Sequence, residues 1–237
     1  HKMNMDPARI RELNMPVEGE RMYDYDGNLT HTASCTMDRC LARAKEMIGW
    51  DEKYPRKDMG NGKVRAVGLA MAMQGSAISG VDVGSVTIKV NDDGFYSMTI
   101  GAADMGTGCD TTLAQVAAEC LDCELDDIVV YGVDTDISPY DSGSYASSTA
   151  YLTGMAVVKT CESLKKKILK KAAEYLNCSE DELEFAGKTV RRLNAPEGEP
   201  AEITLKDIGN RAMCFNEEAL QATESHSSPV SPPRFMA

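Results

Sequence analysis

The sequence predicts an α+β fold with mixed sheets, built from repeated strand–glycine loop–helix units. Three observations predict it. First, the strand-forming run Phe95–Ile100 ends in Gly101-Ala-Ala-Asp-Met-Gly-Thr-Gly, and Leu113, Val116, Ala117, Cys120 and Leu121 then fall on one helical face. Second, the pattern recurs: Ile128–Tyr131 reads as a strand, residues 134–149 as a polar glycine loop, and the next apolar face runs to Leu176. Third, Ser85–Val90 and Phe95–Ile100 flank Asn91-Asp-Asp-Gly, a strong hairpin turn, so antiparallel pairing enters the same sheet.

Along the chain, Met5-Asp-Pro starts a helix, with Asp6 as N-cap and Pro7 in the first turn. A second helix is expected over about Met37–Ile48, with Cys40, Leu41, Ala44 and Ile48 on one face, and Trp50 after it as a packing anchor. Lys57–Lys63 reads as a polar linker, and the apolar run Val64–Met73 as a buried strand. Gln74–Gly80 is expected from its composition to be a flexible polar loop. The long helix, about Ser147–Leu176, buries Val158, Cys161, Leu164, Ile168, Ala172, Tyr175 and Leu176, and turns Lys166, Lys167 and Lys170 to solvent. Ser179–Glu182 is a capping box, Phe185–Arg192 a hairpin, and Ile203–Ala212 a strand entering a short helix. Ser225–Pro233 is expected to be extended or loose. Three segments follow: 1–60 helical and loop-like, 61–176 an α/β core, and 177–237 a C-terminal α/β segment.

A net charge of -12 and a pI near 4.8 argue against nucleic acid or an anionic membrane as partner, because counterion release needs basic patches. No run of about 18 uncharged apolar residues exists. No signal peptide is visible, so the eight cysteines are read as reduced thiols and the location as cytoplasmic. The chain begins at His1 and ends without a helical finish, which suggests a piece of a longer polypeptide. Cys120 and Cys123 have C-x-x-C spacing. Residues 117–128 echo residues 172–183, however, and pair Cys123 with Cys178 but Cys120 with Tyr175. Cys123 and Cys178 are then small buried residues just past a helix end, and no metal-ligating residue is assigned.

The two loops carry the chemistry. The first N–H groups of a helix lack internal partners and sit in the positive end of the dipole, so a glycine loop opening onto a helix can hold an anion. Glycines let a ligand approach the backbone. Thr107, Thr111 and Thr112 could cap or donate. Two such ends converging on one polyanion inform more than either alone. Asp134, Asp136 and Asp141 could suggest Mg²⁺ or Ca²⁺, but their spacing is not that of an EF-hand, and turn formation is the simpler role.

On these residues the sequence resembles the molybdenum-cofactor-binding large subunit of the xanthine dehydrogenase and aldehyde oxidase family. The resemblance rests on Gly101-Ala-Ala-Asp-Met-Gly-Thr-Gly with Thr111, Thr112, Gln115 and Glu119. It rests also on Asp134-Thr-Asp, Pro139, Gly143, Ala146-Ser-Ser-Thr and Gly154, and on Met5-Asp-Pro, Arg11, Asn14, Gly19 and Gly49-Trp50. It implies a molybdopterin-binding domain. Gly106, Thr107, Gly108 and Thr111 would hold the molybdenum pyranopterin (molybdopterin or its dinucleotide form) on one loop, and Ala146, Ser147 and Thr149 on the other. Gly75 and Ser76 would fall on the substrate loop. The metal would be bound by the pterin sulfurs. The implied reaction hydroxylates a purine, another N-heterocycle or an aldehyde with oxygen from water. Electrons would leave through iron–sulfur clusters and FAD on partner subunits or domains of an oligomeric complex, since this chain has no cluster-type cysteine set. Thr107 stands where the family usually has Gln, and Ser148 where many members have Arg. No segment matches the family's general-base Gly-Glu motif, since Gly198-Glu199 comes too early, so no catalytic residue is assigned and the isolated stretch is expected to be inactive. Two alternatives stay open. One is a non-catalytic assembly or scaffold relative. The other is an independent phosphate- or nucleotide-binding module, which lacks a Lys after the Gly106 loop.

Overall fold

The computed structural model describes residues 3–23, 27–32, 35–72, 80–215 and 217–229. The chain divides between Ile78 and Ser79 into two compact units.

The first unit holds α1 (Pro7–Glu12), the hairpin β1 (Arg21–Tyr23) and β2 (Leu29–His31), α2 (Met37–Ile48), α3 (Trp50–Lys53), and the hairpin β3 (Arg56–Asp58) and β4 (Val64–Ala66). Asp6 caps α1 by accepting from the Ala8 N–H at 2.7 Å, as Asp-Pro demands. Its other oxygen accepts from Trp50 Nε1 at 3.1 Å. Trp50 is buried and stacks on Tyr54 at 4.9 Å, which makes it the expected anchor.

On α2 only Met37 and Leu41 are buried; Cys40, Ala44 and Ile48 are exposed. Three expectations for this unit need correction. Lys57–Lys63 is not a linker: Lys57 and Asp58 end β3, and residues 59–63 turn into β4, closed by Met59 N–H donating to the Lys63 carbonyl at 2.9 Å. A boundary at 60/61 would cut that hairpin, and the division falls at 78/79 instead. The apolar run from Val64 forms a strand only to Ala66, and all three of its residues are exposed. A two-stranded ribbon by itself does not bury its own faces.

The second unit contains a four-stranded sheet ordered β11-β5-β6-β7: β5 (Val83–Val90), β6 (Tyr96–Ile100), β7 (Ile128–Tyr131) and β11 (Gln221–Ser227). The predicted β5–β6 hairpin pairs antiparallel, and β7 adds parallel to β6 through α4 (Cys109–Leu121). The long helix α5 (Thr149–Leu176) follows. Alternate strand residues Val86, Ile88, Tyr96, Met98 and Ile100 share one buried cluster with Leu113, Ala117 and Leu121 of α4 and Val157, Cys161, Leu164 and Ile168 of α5. Period 2 meets period 3.6 there, as an α/β layer requires. Truncating a fully buried Leu164 or Ile168 to Ala would cost about 2–5 kcal/mol.

The segment after Leu176 is not separate. It forms the sheet β10-β9-β8 (Leu183–Ala186, Thr189–Arg192 and Glu202–Thr204 for β8, β9 and β10), then α6 (Leu205–Cys214) and β11. Val190, Leu205, Ile208, Leu220 and Ala222 complete the same buried cluster, so an expected boundary at 176/177 would cut one core. Ser225–Ser227, expected to be extended or loose, is extended: it belongs to β11 and pairs with Val83–Ser85. The internal echo is structural. Asp122 and Asn177 both end their helices left-handed, and Cys123 and Cys178 N–H donate back to Ala118 and Ala173 at 3.1 and 3.2 Å. Both cysteines are half-buried thiols. Among the described residues no helix is long and apolar enough to cross a membrane.

Candidate functional site

The parallel strands β6 and β7 run in the same direction, so both carboxyl ends lie at one edge of the sheet, where open α/β sheets bind ligands. Each strand passes there into a loop and then a helix N-terminus: residues 101–108 lead into α4, and residues 132–148 into α5.

In the first loop Gly106 and Gly108 have φ of 101° and 73°, values that glycine adopts cheaply. A Cβ at either would meet nothing within 4 Å, so conformation and not crowding requires glycine here. Asp104 Oδ1 accepts from both amides, at 2.8 Å from Gly106 and 3.1 Å from Gly108. These backbone donors hold the Asp104 carboxyl below its ordinary value. Asp104 therefore caps this loop, a role that sequence reasoning gave to threonine hydroxyls. An Asp two residues before a Gly is an Asx-turn signal, and it could have been found. Thr107 sits exposed between the glycines, and Thr111 is exposed on the first turn of α4.

The second loop uses its aspartates for turns, as expected. Asp134 Oδ1 accepts from Asp136 N–H at 2.9 Å, and Asp141 Oδ1 from Gly143 N–H at 2.8 Å. Its end is unusual. Ala146 and Ser147 are left-handed, with φ of 49° and 52°, although neither is glycine. Ser148 is buried, and its hydroxyl donates to the Tyr145 carbonyl at 2.9 Å. Its own carbonyl accepts the first bonds of α5, from Tyr151 and Leu152 N–H. Ser147 is exposed and Thr149 half-buried.

Where the loops meet, Gly101 has no room for a side chain. A Cβ there would run into the Pro139 carbonyl oxygen and lie 2.6 Å from Asp141 Cβ. The structure thus brings the base of the first loop against the middle of the second. Gly75 and Ser76, the expected substrate-loop residues, lie outside the described residues. Asp104, Cys109 and Asp110 come together with ligand atoms within 4.8 Å, a grouping that sequence reasoning missed. Asp104 is already engaged by the loop amides, and burial pushes the Cys109 thiol up, which disfavours the thiolate a metal needs. A groove of 560 Å³ opens at the other end of α4, between Glu119, Asp122, Cys123 and Asp127, and contains none of the loop residues.

Space stands open at Gly106 and Gly108, and left-handed backbone occurs in both loops. The family model described as "Molybdopterin cofactor-binding domain" matches residues 43–235. The chain belongs to the molybdopterin cofactor-binding domain family. Among individual relatives, "Probable hypoxanthine oxidase XdhD" of Escherichia coli K12 is 31% identical over 219 residues, which is 89% of this chain and 22% of that protein. The "Xanthine dehydrogenase molybdenum-binding subunit" of Escherichia coli O157:H7 is 28% identical over 98% of this chain and 31% of its own length. The chain thus spans less than a third of either relative. In fold it matches the solved Cu,Mo-CO dehydrogenase with a TM-score of 0.63 and 22% identity, over 99% of this chain and 31% of that one.

Proposed function

We propose that this chain forms part of the molybdopterin-binding subunit of a xanthine dehydrogenase-like hydroxylase. The substrates would be purines, other N-heterocycles or aldehydes, and the inserted oxygen would come from water. The single observation that carries the reading is the meeting of two helix-N-terminal loops at one sheet edge, in a chain of this family. Gly106, Thr107, Gly108 and Thr111 would line one side of the cofactor, and Ala146, Ser147 and Thr149 the other. When bound, the molybdenum pyranopterin supplies the two-electron oxidation and the metal centre for oxygen transfer. The chain's own residues hold and orient it: amides and hydroxyls at the helix ends meet anionic groups, and the glycines admit close approach. With Thr107 in place of the family's usual Gln, the tip of the first loop offers a short hydroxyl instead of an amide. Iron–sulfur and FAD partners in a cytoplasmic, oligomeric complex would take the electrons.

The test is turnover by the native complex, purified from its source. Hypoxanthine, xanthine, nicotinate and benzaldehyde are offered with a dye acceptor in ¹⁸O-labelled water. Labelled product from any of them supports the reading. Turnover of none, by a complex that retains its cofactors, would contradict it.

A further inference from the structure

Beyond the loops themselves, the structure shows what sets their spacing. Asp141 makes two bonds through its two carboxylate oxygens. Oδ1 accepts from Gly143 N–H at 2.8 Å inside the second loop, and Oδ2 accepts from Thr153 Oγ1 at 3.0 Å in the first turns of α5. Thr153 is buried. On the far side Thr153 presses against β5: a Cβ on Gly84 would lie 2.6 Å from Thr153 Oγ1 and 2.7 Å from its backbone N and Cα. On the near side Asp141 presses against Gly101 at the start of the first loop. Two positions that exclude any side chain therefore bracket one hydrogen-bonded pair. The second loop is also stitched to β5 by Ser142 N–H donating to the Val83 carbonyl and Val83 N–H donating to Ser142 Oγ, both at 3.0 Å.

We infer that Asp141 and Thr153 are positioning residues that lock the two loops in register, so that movement of one loop is transmitted to the other. The path runs from Gly84 on β5 through Thr153 and Asp141 to Gly101. None of these four residues stands among the proposed cofactor contacts. That the locked loops serve a pyranopterin rests on the proposed function; the lock itself does not. Loss of the Thr153 hydroxyl would leave a half-buried carboxylate oxygen without its donor, which makes the second loop costly to hold in place. Gly101 would then lose the surface against which the first loop is seated.

The experiment is amide hydrogen exchange on the 237-residue chain and on four variants. Thr153→Val keeps the side-chain shape and removes the hydroxyl, and Asp141→Ala removes both acceptors. Thr153→Ser keeps the hydroxyl. Asp141→Asn keeps a carbonyl for Gly143 and an amide that can bond the Thr153 oxygen. Thr153→Val and Asp141→Ala should speed exchange about tenfold in both 132–148 and 101–108. Exchange in Ile88, Met98 and the middle of α5 should stay unchanged, and the Ser and Asn variants should return both loops to the parent rate. Faster exchange in 132–148 alone overturns the coupling. A uniform rise through β5, β6 and α5 also overturns it, because the pair would then only support the fold. Molybdenum content of the native complex is read separately. Its absence would sink the cofactor reading and leave the lock to be decided by exchange alone.

Discussion

Loop 101–108 places only glycine at its left-handed positions, Gly106 and Gly108, whereas loop 132–148 has Gly143 at one such position and Ala146 and Ser147 at two more. The first loop reaches its backbone without strain and is tied by one exposed carboxylate, Asp104. The second carries a cost of roughly 1–2 kcal/mol for each non-glycine left-handed residue. It is held against that cost by Asp141, Thr153 and the buried Ser148. Strain of this kind persists only where surrounding structure over-determines the backbone. Two helix ends with one task thus rest on different supports, conformational freedom in one and tertiary bonding in the other.

The largest expected effect comes from forcing the loops apart. Gly101→Ala should destabilise the chain by about 1–3 kcal/mol, because backbone on the second loop must move. Urea unfolding measures it, and an unchanged midpoint would mean that the two loops are not seated on each other. The strain comparison is sharpened by reciprocal exchanges. Ala146→Gly should raise stability by about 0.5–1 kcal/mol, relief of left-handed strain less the entropy glycine adds to the unfolded chain. Gly106→Ala should lower it by about 1 kcal/mol despite the open space around it. Thermal melts of the pair would refute the account if both shifted the same way.

A smaller effect concerns His226, which stands edge-on to Tyr151 at 5.8 Å. Burial, and then the charge of Lys159, hold its pKa below the ordinary 6.5. The folded chain therefore resists protonation that the unfolded chain accepts. This contribution is complete above about pH 6.5 and is lost as pH falls through the lower folded value. His226→Gln should flatten the dependence of the unfolding midpoint between about pH 7 and pH 5; an unaltered slope would show that His226 is not its source. Smallest is Asp104, exposed but with its pKa lowered by Gly106 and Gly108. Its contribution is present above its ordinary value near 3.8 and disappears as pH drops through the lower folded one. Asp104→Asn should lower stability slightly at neutral pH, leave it unchanged in acid below the folded value, and so remove that part of the acid-unfolding curve.

Much of the second unit was legible because its signals are local. The Asn91–Gly94 turn, the α4 face and the β7 run each declare themselves within a dozen residues, and the observed elements lie where periodicity put them. β11 was not legible. Its residues Thr223, Glu224, Ser225 and His226 lack apolar alternation, and its evidence is pairing with β5 some 140 positions away. The exposure of Val64–Ala66 was missed because apolar content says that a segment wants cover and not whether cover is present. At the site, the loops and their glycines were visible. The contact of Gly101 with Pro139 and Asp141 was not, since only the folded backbone shows that a Cβ would have no room. The left-handed Ala146 and Ser147 could not be foreseen from residue type, which argues against that conformation.

Elemental analysis of the native complex containing this chain, purified intact from its source, tests the central claim most directly. Molybdenum stoichiometric with the chain, accompanied by iron, is the result predicted for a working hydroxylase. A well-folded, intact complex without molybdenum would contradict it and point to a relative that keeps the two-loop fold for assembly alone.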